Sequence, residues 1–161
     1  MISRISILFL LGLALPAWAQ HAAPPATDPN AAFQPLTERT DVLSWKTLAQ
    51  VELVKQKDRY VPQFSASVAA LDKKDVKLQG FMMPLEMGDK QSHFVLAAMP
   101  TTCAFCMPGG PDSLIEVLCK TPIAFNMEPI TISGKLAVLK DDPTGLWYRV
   151  TEATLVSEGK M

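Results

Sequence analysis

From Val42 onward the chain is patterned, and most of the pattern repeats every two residues. Val76, Leu78, Gly80 and Met82 alternate with Lys77, Gln79, Phe81 and Met83, which predicts a strand over Val76–Met83. Phe94, Leu96 and Ala98 share one face of a second strand, His93–Ala98. Ile115, Val117 and Cys119 share a face over Leu114–Cys119. Asp112 or Ser113 followed by Glu116 also resembles a helix capping box, but the β-branched pair Ile115 and Val117 at period two favours the strand. Ile130–Leu139 is the cleanest alternation, with Ile130, Ile132, Leu136 and Val138 inward and Thr131, Ser133 and Lys135 outward. Leu146–Val156, carrying Trp147, Tyr148 and Val150, is long enough to need a bulge or a bend. Asp141-Asp142-Pro143-Thr144-Gly145 reads as the turn joining the last two strands.

Helical spacing is confined to two short stretches ahead of these strands. Ser44 is placed to cap a turn holding Trp45, Leu48 and Val51, although Val51-Glu52-Leu53 alternates instead. Phe64, Val68 and Leu71 predict a short amphipathic helix ending at Asp72-Lys73-Lys74. Between them, Tyr60-Val61 must be extended ahead of Pro62. The fold expected is mainly β: a small five-stranded OB-like Greek-key barrel with one or two short helices, bent at Gly80 and Gly134. A β-sandwich is the alternative.

The pattern stops upstream of Val42. Arg4, the largely apolar run Ile5–Leu15 and Ala17-Trp18-Ala19 have the form of a secretory signal peptide cleaved after residue 19. The run is too short for a membrane span, which needs about 20 apolar residues. Residues 20–41, rich in Ala, Pro, Thr, Asn and Asp, read as a flexible leader, and 42–161 as one OB-like domain. The expected compartment is an oxidising periplasm. His21, at the head of the leader, reads as a solvated residue.

Composition narrows the classes. The 161 residues are 48% hydrophobic and only 19% charged, enough for one real core and against long disorder. The formal net charge of −1 carries no nucleic-acid footprint and no attraction to an anionic membrane. No G-x-S-x-G, H-E-x-x-H or phosphate loop occurs, so the expected protein is not an enzyme. Glu86 is a lone carboxylate with no visible partner.

The sharp chemical feature is the loop Thr102-Cys103-Ala104-Phe105-Cys106-Met107-Pro108-Gly109-Gly110-Pro111. Two cysteines three apart suit a metal chelate, a local disulfide or a redox dithiol. The redox use needs a thiol activated at a helix N-terminus, and no helix begins at this motif. A chelate of one Cu(I) or Zn(II) needs more donors. Met99 and Met107 bracket the loop as thioethers suited to Cu(I), and Cys119 is the third thiol, suited to Zn(II) unless it lies in the core. His93 starts its strand at the end remote from the loop and is a poor ligand.

Trp45-x-x-Leu48, Val76-x-Leu78-x-Gly80-Phe81-Met82-x-Pro84-Leu85-Glu86, Phe94-x-Leu96, the cysteine and proline loop and Ile132-x-Gly134-x-Leu136 together resemble a bacterial family of secreted proteins or lipoproteins of unknown function. The resemblance spans about residues 42–156, and the Gly-Phe-Met-x-Pro-Leu-Glu segment is its most specific part. It implies an OB-like barrel. Many members of the family carry Cys and His before a run of prolines, where this chain has Cys106-Met107-Pro108 and two glycines, a more sulfur-rich loop. The association of some members with zinc-supply transporters implies a metal-handling role beside an ABC transporter or another envelope protein.

Overall fold

A computed structural model describes residues 36–100 and 109–158 of the chain. Its elements run α1 (Trp45–Leu48), β1 (Val51–Gln56), β2 (Arg59–Phe64), α2 (Ala66–Ala69), β3 (Asp75–Pro84), β4 (Lys90–Ala97), a 3₁₀ turn (Pro111–Ser113), β5 (Leu114–Ala124), β6 (Ile130–Val138) and β7 (Tyr148–Glu158). Strands β3-β4-β5-β7-β6 form a closed barrel. All its pairings are antiparallel except β5 with β7, which is parallel. Counting barrel strands alone, that order is first, second, third, fifth, fourth, the Greek-key closure of an OB barrel. The barrel and the two short helices agree with the alternation in the sequence, and the sandwich is set aside.

Closure depends on two glycines. β3 pairs with β6 from Asp75 to Gly80 and with β4 from Phe81 to Pro84, so it changes partner at Gly80. A methyl carbon at Gly80 would lie 2.7 Å from the Ala97 carbonyl oxygen. Gly134 sits in the register shift between β6 and β7, where a methyl carbon would lie 2.8 Å from the Thr151 carbonyl oxygen and 3.1 Å from the Ala153 Cα. Opposite it, Glu152 adopts φ +55°, the bulge that the length of the last strand required. The bulge resets the facing of β7, so Tyr148 and Val150 point inward before it and Ala153 after it.

The inward positions form one core, in which Leu78, Phe94, Leu96, Ile115, Val117, Ile132, Leu136 and Tyr148 are fully buried. Leu48 of α1 and Val68 of α2 join it from outside the barrel. Each such burial is worth roughly 1.5–3 kcal/mol. Ser44 caps α1 by accepting from the Lys46 amide, and Ser65 caps α2 by accepting from the Val68 amide. The Tyr148 hydroxyl donates to the Leu48 carbonyl at 2.6 Å, and the Trp45 indole donates to the Gln79 carbonyl at 2.8 Å. A chain segment with little helix of its own is thereby fixed to the barrel.

The helical expectations need trimming. Val51 opens β1 rather than closing α1, and Phe64 and Leu71 lie outside the single turn of α2. The β1–β2 hairpin, a separate two-stranded sheet, has no clear signal because no position on either strand is fully buried. Residues 113–120 are strand from Leu114 onward; no capping box forms, because Glu116 engages His93 and Arg149 instead.

Gly134→Val is expected to destabilise the fold by about 1–3 kcal/mol, because the contacts that must give are backbone atoms. Denaturant unfolding checks this: the midpoint should fall, and an unchanged midpoint would show that β6 and β7 do not approach closely here.

Candidate functional site

Cys103, Cys106 and Met107 lie outside the described residues; the stem of their loop does not. The ladder of β4 and β5 ends at the pair Ala97 and Leu114 and continues through Ala98 N–H to the Ser113 carbonyl at 3.0 Å. Ser113 also donates to the Gly110 carbonyl, from its amide at 2.9 Å and its hydroxyl at 2.7 Å. Pro111 at the first position of the 3₁₀ turn fits a site whose N–H has no helical partner. The loop therefore leaves and re-enters the barrel at adjacent backbone positions. Met99 stands on the outgoing side and is 55% exposed.

Cys119 faces the other way. It occupies an inward position of β5, packs against the core, and burial pushes its thiol up to about 11. At neutral pH it is a protonated thiol, as a core residue would be, and not a ready thiolate. His93 is tied up as well: its Nε2 lies 2.9 Å from Glu116 Oε1. Among the described residues, no group of three or more His, Cys, Asp or Glu side chains is arranged to hold a metal ion.

Glu86 proves to have partners. Its carboxylate accepts from the Ser92 amide at 3.0 Å, the Ser92 hydroxyl at 2.9 Å and the His93 amide at 3.3 Å. These donors, the Ser92 amide foremost, hold its carboxyl below the usual range. The buried Gln91 braces the same loop, accepting from the Glu86 amide and donating to the Gly88 carbonyl. Glu86 closes the β3–β4 hairpin.

The outer face of β4, β5 and β7 carries a row of charges that alternation alone did not single out. Glu116 lies between His93 and Arg149, one carboxylate oxygen to each, and Arg149 reaches on to Asp142 at 3.2 Å. The Glu116 contact holds the Arg149 guanidinium above its ordinary value. Thr144, donating from its amide and hydroxyl, holds the Asp142 carboxyl low, with Arg149 adding to it. Val95, Ala97 and Leu114, with Met83 and Leu146, form a small apolar cluster on this outer face. The row depends on the parallel pairing of Glu116 with Arg149 across β5 and β7, which brings together residues 33 apart in sequence.

Asp141 and Asp142 tie the β6–β7 loop in two directions. Asp142 binds Arg149 on the barrel, while Asp141 takes both Arg59 nitrogens, at 2.9 and 3.2 Å, on the β1–β2 hairpin. Phe64 at the hairpin base meets Trp147 and Tyr148 edge-to-face, with centroids 6.3 and 5.9 Å away. Between hairpin, loop and the Gly110–Asp112 stem lies an open cleft of about 620 Å³. Cysteine-loop stem, cleft and charged row thus share one end of the barrel, the end where β4 leads to β5 and β6 to β7.

A crystal structure of a DUF3299 family protein from Pseudomonas aeruginosa PAO1 is similar to this chain, with 19% identity and a TM-score of 0.48 over 62% of this chain and 70% of that one. No curated protein matches. The model of a family of proteins of unknown function, DUF3299, matches residues 18–148, and the chain belongs to that family.

Proposed function

We propose that this protein is a secreted, periplasmic, non-catalytic metal carrier that holds one soft metal ion on the loop between β4 and β5. Cys103 and Cys106 supply the thiolates, and the partner served is an envelope transporter of the ABC type or another metal-trafficking protein. The observation that carries the reading is the clamped stem. Ala98 and Ser113 are hydrogen-bonded at the loop base, and Ser113 with Pro111 fixes the returning strand. A loop whose ends are already joined loses less entropy when two sulfurs converge on an ion. The protonated, core-facing Cys119 leaves the third donor to a thioether, Met107 or the half-exposed Met99. Two thiolates with a thioether favour Cu(I) over Zn(II).

Elemental analysis of protein isolated from periplasm without chelator or affinity tag is the first test, followed by competition against a chromophoric chelator on reduced protein. Replacing Cys103 and Cys106 together by Ser is expected to abolish binding while the circular dichroism stays that of a folded barrel. Affinity should fall as pH drops, because protons compete for sulfur. A double variant that binds as tightly as the parent overturns the proposal. A Cys103–Cys106 disulfide in freshly isolated protein, with no metal, replaces it with a structural clip.

Cys119 provides a second check, read in the Cys103→Ser, Cys106→Ser background. Its folded pKa of about 11 lies above that of a free thiol. The folded state therefore keeps the proton, and the stability this contributes is present below the unfolded pKa and lost as pH rises through 11. Iodoacetamide at pH 8 should alkylate native Cys119 more than about tenfold slower than the unfolded chain, because the thiolate is the nucleophile. Equal rates would show that the thiol is not held in the core.

A further inference from the structure

We propose that the cleft at the barrel mouth binds a small organic ammonium ion with a flat apolar body, the cation against Asp112 and the body between Tyr60 and Trp147. The proposal does not rest on the metal reading.

The volume of about 620 Å³ falls among clefts that take small molecules. Its hairpin wall is the continuation of an apolar face. Phe64 at one end of that face is packed against Trp147 and Tyr148, but Leu53 and Tyr60 farther out are 58% and 66% exposed and face the open cleft. Trp147, half-buried, lines the same cleft. Aromatic faces attract cations and stack on flat apolar groups.

The charges select the sign of the ligand. Three carboxylates line the cleft, and two are ion-paired: Asp141 with Arg59, and Asp142 with Arg149, which it shares with Glu116. Asp112 is half-buried, and no ion pair or side-chain hydrogen bond reaches it among the described residues, although Lys140 also lines the cleft. Its negative charge is felt nearby, where it joins burial in keeping the Tyr148 phenol protonated. An anion would meet this charge with Arg59 already engaged. Among the described residues the carboxylates here are not grouped to hold a metal ion. An ammonium group on an apolar body satisfies both Asp112 and the aromatic walls.

Phenethylammonium is the probe, and the fluorescence of Trp147 in the full secreted chain is the readout. Saturable quenching is expected, and Trp147→Phe should remove it although Trp45 remains. Phenethyl alcohol, with the same body and no charge, should bind at least about tenfold more weakly, as should phenethylammonium to Asp112→Asn. Asp112→Glu, which keeps the charge, should restore binding to within a few-fold of the parent and so separates lost charge from lost folding. Tyr60→Ala, at an exposed position, should weaken both probes alike. Absence of saturable binding, equal affinity for the alcohol and the ammonium, or an unchanged affinity in Asp112→Asn overturns the proposal.

Discussion

Closure of five short strands into a barrel requires backbones to approach more closely than side chains allow, and this chain meets that constraint at Gly80 and Gly134. At the first, β3 leaves β6 and joins β4; at the second, β6 passes the bulge of β7. A methyl group at either would sit under 3 Å from a carbonyl oxygen. Everything that follows, the inward stacking of Ile132, Leu136, Phe94 and Leu96 and the parallel contact of β5 with β7, depends on the sheet turning sharply enough to meet itself.

The parallel contact is also what builds the outer charged row. In a meander the strands of Glu116 and Arg149 would not be neighbours. Here they are register partners, so one carboxylate engages both His93 and Arg149, and Arg149 reaches the β6–β7 loop. Asp141 carries the tie on to the hairpin through Arg59. Exposed pairs such as the last add little stability singly. Their effect is geometric, because they hold the walls of the cleft relative to the barrel mouth.

The mouth gathers two kinds of chemistry. The hydrogen-bonded stem of the cysteine loop lies there, and so does an aromatic cleft in which Asp112 has no ion pair among the described residues. The opposite end has loops braced by Glu86 and Gln91, which serve the hairpin itself.

The sequence alone determined the strands of the barrel, because a half-buried strand writes its facing into every second residue. Val76–Met83 and Ile130–Leu139 are legible for that reason, and so are the bends at Gly80 and Gly134 and the turn at Asp141–Gly145. The cysteine loop was visible as a spacing, Cys103-Ala104-Phe105-Cys106. The β1–β2 hairpin was not, since most of its surface is solvated and alternation is weak where neither face is fully buried. Nor were the partners of Glu86, Glu116 and Asp142. Those depend on which strands become neighbours, and pairing is a long-range choice that local periodicity does not encode. Tertiary structure also decided the role of Cys119: alternation put it on the face of Ile115 and Val117, but only the closed barrel turned that face into a core and kept its thiol protonated.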